Sequence, residues 1–244
     1  MPRFFVAGTN IGNGIAVITG ADANHAKVLR LKIGDEVIIC DGAGTDHRCR
    51  ITKMSADEVQ TEVCHSERSA AEPSVYVTVL AGYPKGERAD FIVQKCVETG
   101  ASEIVFFKCD RCVAKPDPKS IDKKLQRFNR IAEEAAKQSG RGIIPEVKYV
   151  DSYAEALDIA VKTELPLFMY ETGDRVTLRE ALEGAENIKT AAIITGPEGG
   201  FERYEADLAA KVGIKLCAMG PRIFRCETAP MAALTALMYA SGNM

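Results

Sequence analysis

An α/β fold with a mostly parallel sheet, led by a small β-rich unit, is what this sequence predicts, and three observations predict it. Past Pro73, apolar runs alternate regularly with helix-like segments, the pattern of strands joined by crossover helices. Before Glu72, short strand-like runs follow one another with glycine turns between them. Two glycine-rich turns then close the fifth and sixth runs of the second region, at the place where parallel sheets hold ligands.

The first region, residues 1–72, contains "RFFV", "GIAVIT", "DEVIICDG", "HRCRITKM" and "EVQTEVC", separated by "GNG", "KIGD" and "GAGTD" and interrupted by one helical insert, "DANHAKVLRL". "SERSAAEPS" at Ser66–Ser74 is small, polar and proline-terminated, as a linker is. Residues 73–244 form the second domain. Its strand-like runs are "VYVTVL", "EIVFF", "PEVKYV", "LPLFMY", "TAAIIT" and "IKLCAMG", each followed by a helix-like segment or leading into one.

A chain of 244 residues, 46% hydrophobic, has the means for a sizeable core. Its longest apolar stretches fall well short of the roughly 20 residues that span a bilayer, and no cleavable leader pattern is present. A cytoplasmic protein is therefore expected, without membrane attachment. Eight cysteines without regular spacing read as reduced thiols. "CDRC" at Cys109–Cys112 lacks the second pair that a zinc ribbon needs, and the three histidines are scattered through the first quarter, so no metal is expected. Pro116 and Pro118 follow where a redox pair would open a helix. A structural or incidental role is the reading for this pair.

The two glycine turns are "ITGPEGGF" and, some 20 residues on, "MGPRIFRCETAP". Turns between strand and helix commonly cradle phosphates, yet Glu198 sits inside the first and would repel one. Neither a dinucleotide fingerprint after the first strand nor a P-loop is present. If both turns wall one pocket, their backbone groups can read an adenine edge and ribose hydroxyls, and Glu198 is favourable beside a cation. S-adenosylmethionine, with an adenosine, no phosphate and a sulfonium, fits.

The formal net charge of −3 hides an asymmetry. Lys108–Arg141 carries ten Lys/Arg against five Asp/Glu, whereas Asp151–Thr190 carries four against nine. In "SIDKKLQRFNRIAEEAAKQSG", Ile121, Leu125, Phe128, Ala132 and Ala135 make one apolar helical stripe, with Lys123, Arg127, Arg130 and Lys137 on the opposite side. That side reads either as a solvated face or as a phosphate-contacting face for nucleic acid.

"TGPEGGF" followed by "MGPRIFRCETAPMAALTAL" resembles the paired C-terminal motifs of the ribosomal RNA small-subunit methyltransferase E family, a branch of the SPOUT methyltransferases. "MPRFFV", "HAKVLRLKIGDEV", "PKGERADFIVQKCVETGA", "RFNRIAEEAAKQSGR" and "IPEV" stand in the family's order. "CVETGA" departs from the usual "ATELG", and Cys226 occupies a position that varies. The resemblance implies a PUA-like β-barrel that binds RNA, a SPOUT domain with a C-terminal trefoil knot, and a homodimer. It also implies methyl transfer from S-adenosylmethionine to N3 of a uridine in 16S ribosomal RNA, with an assembled small subunit favoured as substrate.

Carried over residue by residue, the resemblance assigns Thr195, Gly196, Pro197, Glu198, Gly199, Gly200, Met219, Gly220, Ile223 and Arg225 to the cofactor. Arg222 and Arg225 become candidates for holding RNA phosphate or uracil oxygens. Glu198 is a candidate carboxylate for the chemistry, as is Glu227, for which stabilising a helix N-terminus is the leading alternative. Candidates for RNA contact are Arg3, Arg30, Lys95, Lys123, Arg127, Arg130 and Arg141; for Lys95 and Arg141 structural pairing weighs equally. A non-catalytic RNA-binding protein and a nucleotide-dependent oxidoreductase remain the competing readings.

Overall fold

The computed structural model describes residues 1–244 except Lys115 and Asp117, and gives the backbone alone for Pro118 and Lys119. Lys115 and Asp117, part of the basic stretch Lys108–Arg141, thus lie outside the described residues. The chain divides into two compact units: Met1–Glu72 with Ala136–Ile144, and Pro73–Ala135 with Pro145–Met244.

In the first unit, strands β1 (Arg3–Phe5), β2 (Ile11–Gly12), β3 (Ile15–Thr19), β4 (Glu36–Cys40), β5 (Thr45–Met54) and β6 (Glu58–Arg68) form one sheet in the order β1-β4-β5-β6-β3-β2. Only β1 and β4 run parallel; the other neighbours are antiparallel. Alternation explains which side is buried: Ala16 and Ile18 of β3 point inward with Phe4, Val37, Ile39, Ile51 and Val59, and Ala23 and Ala26 of helix α1 (Gly20–Val28) complete this core. Two register shifts between β5 and β6 bend the hairpin. The linker expected at Ser66–Ser74 begins inside β6, which continues to Arg68. Its "HSER" end is polar and exposed, and backbone pairing with residues 45–48 of β5 makes it a strand. Side-chain pattern carries no trace of such pairing.

The segment 136–144 is locked to this unit by buried charge. Arg141 is 3% exposed and donates to Glu72 Oε2 at 2.7 Å, while Glu72 Oε1 accepts the Gly142 and Ile143 N–H groups at 2.8 and 3.0 Å. Arg3 donates to both carboxylate oxygens of Asp46 at 2.8 Å and to the Arg141 carbonyl at 3.2 Å. Burial pushes the Arg3 guanidinium down, but Asp46 and Cys40 outweigh it and raise it overall. Of these two candidates for RNA contact, Arg141 is therefore a buried ion-pair residue and Arg3 a part-buried one. Lys137 also departs from the free basic face, since it pairs with Asp22 at 3.0 Å.

The second unit contains β7 (Tyr76–Gly82), α2 (Arg88–Glu98), β8 (Glu103–Phe107), α3 (Pro118–Ser139, whose last residues belong to the first unit), β9 (Glu146–Val150), α4 (Tyr153–Ala160), β10 (Leu165–Met169), β11 (Val176–Thr177), α5 (Leu178–Ala181), β12 (Thr190–Thr195), α6 (Arg203–Lys211), β13 (Lys215–Ala218) and α7 (Thr228–Ala240). The sheet order is β11-β13-β10-β12-β7-β8-β9, and every neighbouring pair is parallel. Strands β7 and β12 lie in the middle and are buried on both faces, which is why they read as unbroken apolar runs. The two-residue β11 is exposed and has no pattern to find. Along α3, Phe128, Ala132 and Ala135 are buried while Lys123, Arg127 and Arg130 are exposed, the faces that the helical spacing predicts.

Candidate active site

Crossover connections put the loops after β7, β12 and β13 at one edge of the sheet, and the last two wall a cavity of about 700 Å³. It is lined by residues 195–201 of the first glycine loop, 217–227 of the second, Met169–Glu171 and Arg175 after β10, and Arg88 at the start of α2. Every cofactor candidate named from the sequence lies on this wall, together with Arg222. The structure brings these two motifs together as one surface.

The first loop is a tight turn in which Gly200 N–H donates to the Pro197 carbonyl at 2.9 Å. Gly200 has φ +66°, a left-handed conformation that disfavours side chains, and a Cβ there would stand 2.9 Å from Glu171 Oε1. Beneath the loop, Phe201 is buried against Phe168, with ring centroids 4.3 Å apart, and packs near Phe107 and Tyr153. Arg111 clamps the loop from the side: it donates to the Gly199 carbonyl at 3.0 Å and through Nε and Nη2 to Glu202 at 2.8 and 2.9 Å. Glu205, 1% exposed, accepts the Asp110 and Glu202 N–H groups at 3.1 and 2.8 Å at the N-terminus of α6, where a carboxylate is favoured.

This gives "CDRC" a place. Its central pair, Asp110 and Arg111, braces the cofactor-side loop, while Cys109 and Cys112 are buried free thiols with sulfurs 3.4 Å apart. Their mutual hydrogen bond pushes Cys109 up and, against burial, holds Cys112 below the usual thiol value.

Glu198 is anchored: Oε1 accepts the Lys85 backbone N–H and Arg88 Nη1, both at 2.8 Å. Arg88 also approaches Glu227 Oε2 with Nε at 3.5 Å, and the Cys226 thiol donates to that same oxygen at 3.2 Å. Burial pushes the Glu227 carboxyl up, but its own backbone N–H, the Cys226 thiol and the charges of Arg88 and Arg225 outweigh it and hold it below the usual range. Glu227 stands at the N-cap position of α7 without a side-chain capping bond. Arg222 and Arg225 are exposed at the cavity and make no side-chain hydrogen bond or ion pair among the described residues.

The remaining RNA candidates lie elsewhere on their units. Arg30 is exposed just after α1, Lys95 pairs with Glu98 at 2.8 Å, and Arg127 is paired with Asp90. Sequence reasoning missed Arg88, Arg111, Glu171 and Arg175. For Arg88 a signal existed, because "PKGER" turns into a helix at the carboxyl end of the first parallel strand; the others become visible only once loops distant in sequence meet. Among the described residues no cluster of His, Cys, Asp and Glu is arranged to hold a metal, and no helix is long and apolar enough to cross a membrane.

Two glycine-rich strand-end loops around one cavity, with guanidinium groups at its rim, define an α/β domain with a pocket at the carboxyl edge of its parallel sheet. Comparison with known proteins turns this class into a family. Residues 71–238 match the model described as RNA methyltransferase domain, and residues 18–64 match the RNA methyltransferase PUA domain. Ribosomal RNA small subunit methyltransferase E of Bacillus subtilis is 33% identical over 91% of this chain and 89% of its own length; that of Mesomycoplasma hyopneumoniae is 29% identical over 96% and 98%. Among solved structures, the ribosomal RNA small subunit methyltransferase E of Neisseria gonorrhoeae bound to S-adenosyl methionine superposes with TM-score 0.86 at 29% identity, covering 98% of this chain and 97% of that one. A putative methyltransferase from Legionella pneumophila with the same cofactor gives 0.82 at 26%, over 98% and 97%. The chain belongs to the ribosomal RNA small subunit methyltransferase E family.

Proposed function

We propose that this protein is an S-adenosylmethionine-dependent methyltransferase acting on N3 of a uridine in the RNA of the small ribosomal subunit. The observation that carries the cofactor reading is the Thr195 hydroxyl. It is 1% exposed, it lines the cavity, and it has no hydrogen-bond partner among the described residues. A buried orphan of that kind costs about 1–3 kcal/mol, and a polar ligand group in the cavity removes the cost. Replacing Thr195 by Val is accordingly expected to leave the free protein at least as stable while lowering S-adenosylmethionine affinity about fivefold, the worth of one hydrogen bond. Paired thermal and calorimetric titrations check both halves; unchanged affinity takes Thr195 out of the site.

The cofactor supplies a methyl group on a sulfonium. The chain must do the rest: hold the nucleoside against the backbone of residues 196–200 and 219–223, and keep Glu198 anchored so that the loop stays shaped. Uracil N3 lies on the Watson–Crick edge, so the base must leave its pairing to reach the cavity, and its proton must be lost. Arg222 and Arg225, exposed at the cavity and without a side-chain hydrogen bond or ion pair among the described residues, suit phosphate or uracil oxygen. Glu198, with Oε1 already occupied by two donors, serves better as an anchor than as a base.

The family model over residues 18–64 supports reading residues 1–72 as a PUA-like RNA-binding domain and 73–244 as the catalytic domain. The order in which β12 inserts between β10 and β7, with α7 packed back on α2, β7 and β12, supports a SPOUT-type knotted C-terminus. A homodimer, an assembled subunit as substrate and a cytoplasmic location complete this reading.

The test is direct. Small subunits and free 16S RNA from cells lacking this protein are incubated with it and methyl-labelled S-adenosylmethionine, and the RNA is digested for mass spectrometry. Label in N3-methyluridine is expected on the subunits; its absence from both substrates defeats the reading. For the basic face of α3, changing Lys123, Arg127 and Arg130 together to Ala is expected to lower the salt slope of RNA binding by about two, since each phosphate contact contributes about 0.9 and Arg127 already has Asp90. A slope equal to that of the parent removes the helix from the interface.

A further inference from the structure

Both glycine loops need something to hold them in register, and among the described residues one side chain forms ion pairs with both. Arg88, the first residue of α2, donates Nη1 to Glu198 Oε1 at 2.8 Å on the loop after β12, and its Nε stands 3.5 Å from Glu227 Oε2 at the end of the loop after β13. It also donates to its own loop through the Lys85 carbonyl at 3.2 Å, and Lys85 N–H shares Glu198 Oε1. The guanidinium lines the cavity and is 38% exposed, so it is open to a molecule bound there.

The charges around it make this more than a brace. Glu198 and Glu227 face Arg88 directly; Arg222 and Arg225 lie on the second loop, Glu171 and Arg175 on the segment after β10 with Glu171 next to Gly200, and the Cys226 thiol beside Glu227. Methylation at a uracil N3 requires that nitrogen to give up its proton, which places negative charge on the ring. Two carboxylates lining the same cavity oppose that charge, and a cation paired with both reduces their opposition. A forked guanidinium is the group able to serve two carboxylates at once, which an ammonium does less well.

We propose that Arg88 is a positioning residue for methyl transfer: it straps Glu198 on one glycine loop to Glu227 on the other, and supplies the positive charge that lets the acceptor base ionise beside them. The inference rests on the uridine N3 reading above. In the free protein the strap sets the shape of the cofactor wall. In the complex its charge sets how readily the acceptor loses its proton, so the two roles separate by substitution. Lys keeps the charge and loses the fork; Gln keeps donors and loses the charge.

The experiment compares the parent, Arg88→Lys and Arg88→Gln by calorimetry with S-adenosylmethionine, by thermal unfolding, and by the pH dependence of kcat/KM for RNA methylation from pH 6 to about 10. Rate is expected to rise with pH as the acceptor ionises. For Arg88→Gln, the rising limb is expected to move about one unit toward alkaline pH, with a loss of rate of about tenfold at neutral pH that shrinks as pH rises. For Arg88→Lys, the limb is expected to stay at the parental position while cofactor affinity falls a few fold. A parental pH limb in Arg88→Gln, with only its melting temperature or cofactor affinity changed, overturns the charge role and leaves a plain brace. Parental behaviour of both variants in every readout overturns the strap as well. Failure of the parent to methylate uridine N3 at all is a failure of the underlying reading, and the parental control reports it separately.

Discussion

Gly82→Ala is expected to weaken S-adenosylmethionine binding about tenfold or more, although residue 82 does not line the cavity. Gly82 ends the central strand β7, and a Cβ there would stand 2.5 Å from Pro197 Cδ and 2.8 Å from Pro197 N. The second of these is a backbone atom, which cannot swing aside. Strand β7 is held in register with β12 up to the pair Ala81 and Thr195, so the strands cannot part without losing their ladder. The displacement must go into the loop that begins at Gly196. Overpacking of this kind costs about 1–3 kcal/mol, and where it falls on a binding loop 1.4 kcal/mol is already tenfold in affinity. Calorimetry on folded Gly82→Ala protein checks this, with Gly8→Ala, where an added Cβ meets nothing within 4 Å, as the control. Parental affinity in Gly82→Ala would show that the loop is not held by this contact.

Arg141→Ala is expected to destabilise the first unit by about 3–5 kcal/mol, because it leaves the Glu72 carboxylate buried without its counter-ion. Glu72 still accepts two backbone N–H groups, but its charge stays out of water. Calorimetric unfolding should show a transition lowered by about 10 °C or more. Below that transition, the salt dependence of RNA binding should be close to that of the parent, since a side chain 3% exposed has no phosphate within reach of it on this unit's surface. A lowered salt slope with unchanged stability would restore Arg141 to the RNA-contacting set.

These two residues show where reading the sequence succeeds and where it stops. Alternating apolar runs predicted the parallel sheet of the second unit, and β7, β8, β9, β10, β12 and β13 all formed where the runs lie. The reason is that burial on both faces of a central strand is written into consecutive residues. The glycine loops were also legible, since a turn from strand to helix at the carboxyl edge is a local feature with a local composition. Arg141 was not legible. Whether an arginine faces solvent or a buried glutamate 69 positions earlier is decided by which segments pack together, and the pairing of Arg3 with Asp46 was hidden for the same reason. The "CDRC" stretch gave a similar lesson. Its cysteines drew attention as possible ligands or redox groups, whereas Arg111 between them makes the contacts that shape the first glycine loop.

By itself, the sequence determined the α/β character of the second region, the pairing of two glycine motifs, the amphipathic course of α3 and the family to which the chain belongs. All of these are encoded in short spans, because periodicity, turn chemistry and motif spacing need only a few neighbouring residues to be visible. Tertiary structure alone decided that the buried Thr195 hydroxyl has no partner among the described residues, that Glu198 is anchored, that Arg141 is buried against Glu72 and Arg3 part-buried against Asp46, and that Arg88 reaches both loops. Each of those facts depends on distance and burial between residues far apart in the chain, and hydrogen bonds and ion pairs act over only a few ångströms of space, however many residues of sequence lie between their partners.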